Sequence, residues 1–270
     1  MAITNLDQLI SGFGPPYNFI KVGATTEGAG TFHSAWRLQG SPTSGAVPPT
    51  YSGGSGYIPD NNTTGAISYT YPSVGSLYLA RFACGNTVVS NIFLYDRLWH
   101  CGGLSMATTG LQTVISGGLI PARDMNGTSS GIGVEIWGEI YSAGGATAAT
   151  WSVTYTNENG VTGRRATYAH PNNAETLGQM FPFMLTTGDK GVQSIQSVTT
   201  SNTATAGNLG ITLVRRIASI PTVVIGQFGV QDAISLGLPQ IYSGSCLAFM
   251  YLCSTTTVGT ALGSLNFASG

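Results

Sequence analysis

The chain has 270 residues, of which 10 are Lys or Arg, 11 are Asp or Glu and 38 are Gly, whereas an ordinary soluble domain carries about 25% charged residues, roughly three times this share. The formal net charge of -1 leaves no basic face for nucleic acid, and nowhere does a run of about 18 apolar residues form an ordinary transmembrane helix. Few charges remain to keep free monomers apart, so the composition suits a subunit covered within an assembly.

The opening MAITNLDQLI has neither a basic n-region nor a long apolar stretch, so no signal peptide is expected, and the product is expected to be made in the cytoplasm with reduced thiols. Ile3, Leu6, Leu9 and Ile10 form an apolar stripe. Thr4 can cap it with Asp7 three residues on, and Gly12 with Gly14-Pro15-Pro16 stops it. The pattern predicts a short amphipathic helix, which is marginal in isolation and needs a surface to dock on. With Phe13, these four apolar residues form the candidate interface, against their own domain or a neighbouring subunit. Residues 14–65 are rich in Gly, Pro, Ser and Thr and read as a long loop or arm, pinned by Phe32, Trp36 and Leu38.

From residue 66 the texture changes to about eleven strand-length runs, such as SLYLARFA, TVVSNIFLYDRLWH, GVEIWGEIY and CLAFMYLC, separated by turn residues. TWSVTYTNENGVTGRRATYA reads as a hairpin turning at Asn157–Gly160, with Trp151, Val153 and Tyr155 on one face and Ser152, Thr154 and Thr156 on the other. Residues 255–270 return to Gly, Ser and Thr and read as a tail or swapped arm. No helical pattern intervenes between strands. The fold class is therefore all-β, an antiparallel two-sheet β-sandwich of jelly-roll type with a short N-terminal helix and extended arms. The expected divisions are helix and arm at 1–65, body at 66–254 and tail at 255–270. The absence of a fixed-period repeat excludes a propeller or solenoid.

Chemistry is sparse. Gly127-Thr128-Ser129-Ser130-Gly131 satisfies the nucleophile-elbow pattern, but an elbow needs a strand before it and a helix after it. Here a turn precedes and a strand pattern follows. Glu135 and Glu139 lie four apart on one strand face, about 13 Å from each other, too far for a glycosidase pair. Trp137 between them offers a single aromatic for sugar stacking. His33, His100 and His170 belong to no metal-ligand motif, and no phosphate loop occurs. Cys84, Cys101, Cys246 and Cys253 lack C-x-x-C spacing and read as free buried thiols. The tandem Arg164-Arg165 and Arg215-Arg216 put about one charge on each strand face and fit ion pairs better than phosphate binding. Asp96-Arg97 and Arg123-Asp124 concentrate charge in a chain short of it. These four are the candidate structural ion pairs, within the fold or across a subunit boundary. No catalysis, cofactor or metal is expected.

The segments NLDQLISGFGPPYNFIKVG, YDRLWHCGG, PARDMNG and FPFMLTTGDKGVQSIQSV resemble a family of tailed-bacteriophage virion proteins, over most of the chain. The resemblance implies a structural component of the virion, a capsid decoration or cement protein bridging neighbouring shell subunits. Its implied partners are the major capsid protein and further copies of itself, with a homotrimer favoured, and no direct nucleic-acid or membrane contact. The resemblance carries no catalytic residue over to this sequence. A phage fibre or receptor-binding head, or a carbohydrate-binding module, is the alternative for a β-rich chain of this kind, and fold-level analogy does not separate them.

Overall fold

The structure, a computed structural model, describes residues 3–23, 29–46, 56–114, 118–145, 148–170, 176–256 and 259–270. It opens with helix α1 (Leu6–Gly12), capped by Asn5 and not by Thr4. The Asn5 side-chain oxygen accepts from the Gln8 N–H at 2.9 Å, and the Gln8 side chain accepts in return from the Thr4 N–H and hydroxyl. This reciprocal cap satisfies donors that the first turn would otherwise leave orphaned.

The strands that follow are β1 (Tyr17–Val22), β2 (Phe32–Ser34), β3 (Gln39–Ser41), β4 (Leu77–Asn86), β5 (Ser90–Ser105), β6 (Gln112–Thr113), β7 (Val134–Ser142) and β8 (Ala149–Asn157). After them come β9 (Arg164–His170), β10 (Gln179–Pro182), β11 (Val192–Thr200), β12 (Asn208–Thr222), β13 (Gly229–Gln231), helix α2 (Ala233–Leu236), β14 (Gln240–Ile241), β15 (Leu247–Cys253) and β16 (Thr260–Ser269). The fold is mainly antiparallel β. A first sheet runs β13-β4-β16-β1-β3, with β14 also on β4; β10-β2-β15-β5-β12-β7 close into a barrel; and β6-β11-β8-β9 form a third sheet. Two sheets were expected and three are found, one of them without an edge.

The long strands explain the difference. β5 and β12 pair from Asn208↔Ser105 to Thr222↔Ser90 with three register shifts, and each bulge re-aims the side chains beyond it. One end of β5 thus feeds Ile92 and Leu94 into a core shared with the first sheet, beside Phe19, Phe82 and Phe249. The other end feeds Leu98 and Trp99 into a core shared with the third sheet, beside Trp151, Tyr155 and Ile195. Side chains on the opposite face of the barrel strands, including Phe93, Tyr95, Trp137, Met180 and Met250, gather into a third cluster inside it. The hairpin β8–β9 forms as its sequence indicates, with Trp151↔Tyr168 and Tyr155↔Arg164 opposed and Gly160 N–H closing the turn on the Asn157 carbonyl at 3.0 Å.

The arm and tail divisions differ from expectation. Within 1–65, β1 and β3 belong to the first sheet and β2 to the barrel; within 255–270, β16 lies between β4 and β1. Of the loop or arm expected over 14–65, residues 24–28 and 47–55 lie outside the described residues. β16 reads as a tail because close packing keeps its side chains small. A Cβ on Gly263 would collide with the Ala83 carbonyl and the Phe19 ring, so the central strand of a sheet carries a loop-like composition.

Candidate interaction surface and the buried charges beneath it

Two networks of buried charge start from Asp96 and Arg97 of β5. Asp96 receives the Ser245 hydroxyl at 2.6 Å and the Cys246 N–H at 2.8 Å, with Arg123 at 3.7 Å and Arg215 at 3.8 Å. Arg123 also donates to the Pro59 carbonyl at 2.9 Å, and Arg215 donates to the Gln240 carbonyl and lies over the Tyr242 ring. Arg97 points to the other side of β5. It pairs with Glu139 at 2.6 Å, bonds His100 Nδ1 at 2.8 Å and Thr212 at 3.2 Å, and lies 5.0 Å from the centroid of the Trp36 ring. Burial and the neighbouring Arg97 push His100 well below its ordinary pKa, while burial and Glu139 push Tyr141 well above its own. These partners hold charge that would otherwise be costly to bury.

Among the four residues expected in ion pairs, Asp96 and Arg123 thus meet each other, and Arg97 meets Glu139. Asp124 does something else. It accepts from the N–H groups of Asn126, Thr128, Gly131 and Ile132 and from the hydroxyls of Thr128 and Ser130, so one carboxylate folds the 124–132 loop that contains the elbow-like motif. Sequence spacing missed Arg215 and Glu139 as partners because both come from distant strands. It also missed Lys21, whose ammonium is buried and donates to the Leu38 carbonyl at 3.0 Å; burial brings its pKa down to about 8. All four cysteines are buried thiols, none of them in a disulfide.

The outward face of the first sheet carries an apolar row among the exposed polar side chains of Asn18, Gln39 and Ser41. Antiparallel partners face the same way, so Ile20↔Leu262 and Leu262↔Gly85 define a row across its outward face. Ile20, Val22 and Leu262 are exposed there, Phe228 lies over Gly85, and Val230 of the edge strand β13 is exposed beside them. The expected interface residues lie along the same sheet. Ile3, Leu6 and Leu9 line a cleft of about 530 Å³ against Ala233, Ile234 and Leu238 of the α2 segment. Ile10 and Phe13 are exposed, with the Phe13 backbone bridged to Ala268 of β16. Neither helix has a buried residue. Helix α2 was not anticipated from the sequence, although local signals mark it: Asp232 caps it in a reciprocal exchange with Ser235, and Gly237 ends it at φ 69°.

The sugar-stacking idea meets a different geometry. Trp36, Trp99, Trp137 and Trp151 are all buried, and the Trp137 indole donates to Glu135 at 2.7 Å. Among the described residues no helix is long and apolar enough to cross a membrane.

No protein-family model matches the chain, and no curated protein matches it. Among solved structures, the infectious bursal disease virus VP2 subviral particle aligns over 96% of this chain and 81% of that one, with 11% identity and a TM-score of 0.20. The T13 particle of the same virus covers 96% and 78%, with 10% identity and a TM-score of 0.22. The family 11 carbohydrate-binding module of the cellulosomal cellulase Lic26A-Cel5E of Clostridium thermocellum covers 65% and 99%, with 10% identity and a TM-score of 0.21. TM-scores this low do not establish a shared fold.

Proposed function

We propose that this chain is a structural virion protein of a tailed phage, decorating or cementing the capsid by bridging neighbouring shell subunits. The observation that carries the reading is the group of exposed apolar side chains on the outward face of the first sheet, Ile20, Val22, Leu262, Phe228 and Val230, on a chain with only 10 basic and 11 acidic side chains. Exposed apolar side chains grouped on one face are a common mark of an interaction site. The motif resemblance supplies the kind of particle. Repeated modest contacts on a lattice give avidity without any tight single site, and the decorating unit of this reading is a closed homo-oligomer, taken as a homotrimer. The jelly-roll sandwich expected from sequence belongs to this reading as a description of how the flanking sheets pack on the barrel. This reading assigns no enzymatic role, in keeping with Arg97, His100 and Glu139 being buried and Arg97 being bonded to both of the others.

The test is quantitative mass spectrometry of gradient-purified phage particles, with light scattering of the isolated chain. The reading expects the chain in fixed ratio to the shell protein, and removal of the chain to lower the temperature at which particles release DNA. Its absence from purified particles would overturn the reading.

A further inference from the structure

From two adjoining clefts beside β1 we infer a binding site for a neutral glycan, a ligand whose sugar rings carry an apolar C–H face and a fringe of hydroxyls. One cleft, of about 420 Å³, lies between the α1–β1 connection and the segment before β4, with Pro15, Pro16, Tyr69, Pro72 and Phe267 among its walls. The other, of about 570 Å³, has Ser41, Thr43, Asn61, Thr63 and Thr64 among its walls. Tyr17 and Ser68 line both, so the apolar cleft runs into the polar one. Each has the size of a small-molecule site.

The rings at the apolar end are held in place. Tyr69 donates its hydroxyl to the carbonyls of Tyr242 at 3.1 Å and Ser245 at 3.0 Å, and its ring centroid lies 5.7 Å from that of Phe267. Tyr17 and Tyr69 pack against the core of the first sheet and stay half-exposed at the clefts. Rings ordered before a ligand arrives lower the entropy cost of binding it. The polar groups, by contrast, are uncommitted: the side chains of Thr43, Asn61, Thr64 and, at the apolar end, Thr70 make no hydrogen bond to another described residue.

Charge and hydrogen-bonding capacity select the ligand. None of the described residues lining either cleft is Asp, Glu, Lys, Arg or His. The two charges next to the polar cleft are engaged: Lys21 is buried and donates to the Leu38 and Thr43 carbonyls at 3.0 and 3.4 Å, and Asp60 accepts from the Asn62 N–H and the Thr63 hydroxyl. Asp7 of α1 and Arg81, opposite Asn266, line neither cleft. A charged ligand would therefore lose water without gaining a counter-charge. A proline-rich peptide suits a groove of Tyr and Pro, but it brings few donors for Thr43, Asn61 and Thr64. A sugar supplies both halves: its C–H face for Tyr17, Tyr69 and Phe267, and its hydroxyls, each a donor and an acceptor, for the amide and hydroxyl groups beyond.

The probes are short neutral oligomers of glucose, mannose, galactose and N-acetylglucosamine, titrated calorimetrically into the full chain beside sulfated and uronic acid oligosaccharides and an oligoproline peptide. At least one neutral oligosaccharide is expected to bind, with Asn61→Ala weakening it roughly fivefold or more and Tyr17→Ala roughly tenfold or more. The Asn61 side chain is half-exposed and bonds nothing in the fold, so Asn61→Ala should keep the parent's circular dichroism and urea midpoint, which separates lost binding from lost folding. No binding of any neutral oligosaccharide at millimolar concentration overturns the inference, as does binding that ignores both substitutions. Tighter binding of the charged oligosaccharides overturns it too, and oligoproline binding without glycan binding assigns the clefts to a peptide instead. Absence of the chain from phage particles with glycan binding intact would overturn the assembly reading and leave this site standing.

Discussion

Glu139 places Oε2 on Arg97 and leaves Oε1 without a partner, so the pair is held by one oxygen inside a closed barrel. Removing that charge strands a buried guanidinium, and Glu139→Gln is predicted to cost about 3–5 kcal/mol in urea unfolding. Glu135→Gln, which breaks the part-exposed pair with Arg216, is predicted to cost no more than about 1 kcal/mol. Equal losses would mean that burial does not set the value of these pairs. Two further residues make stability depend on pH. Burial lowers His33 from 6.5 to about 4, so the unfolded chain takes up that proton first and stability falls as pH drops from 6.5 to 4. Lys21, lowered from 10.5 to about 8, stays protonated longer in the unfolded chain, so stability rises between pH 8 and 10.5. His33→Gln should flatten the acid limb of a urea-midpoint profile and Lys21→Met the alkaline limb. An unchanged slope in either variant would remove that residue as the cause. The sequence marked Asp96, Arg97 and Arg123 as charges needing partners, because charge is so scarce. It did not mark which partners, since Arg97 and Glu139 meet only when β5 and β7 both flank β12.

At the scale of elements, the 124–132 loop shows how one side chain can take the place of regular structure. The N–H groups of Asn126, Thr128, Gly131 and Ile132 converge on the Asp124 carboxylate. Asp124→Ala leaves several of them unsatisfied and is predicted to destabilise the chain by at least about 2 kcal/mol. Hydrogen exchange should show the loss centred on residues 126–132; a uniform loss across the sheets would argue against a local role. The hairpin turn at Asn157–Gly160 was legible because its chemistry is local: the Asn157 side chain accepts from the Asn159 and Val161 N–H groups. Helix α1 was legible in its apolar stripe and displaced in its cap, because Thr4 and Asn5 are both competent caps and the pattern of Ile3, Leu6 and Leu9 does not choose between them.

For the molecule as a whole, strand content was legible and strand partnership was not. Alternation reveals which residues share a face, but bulges in β5 and β12 change that face partway, and the same two strands line both flanking cores. The two cores should therefore not melt separately. Leu98→Ala in one and Phe82→Ala in the other are predicted to lower a single calorimetric transition by similar mechanisms, each costing about 2–5 kcal/mol. Two resolved transitions, each shifted by one variant alone, would show that the cores are independent units.

The position of β16 has a consequence in time. β1 and β4 are made early, yet they are joined in the sheet only through β16, which pairs with both. During synthesis the chain must therefore carry two open strand edges while the barrel and the third sheet emerge from the ribosome. Such long-range closure is slow compared with local pairing, and open edges recruit neighbouring chains. Where many copies are translated from one message, the interval before β16 arrives is the period in which strands of adjacent nascent chains compete for the same slot, and the rate of elongation through residues 87–259 sets how long that competition lasts.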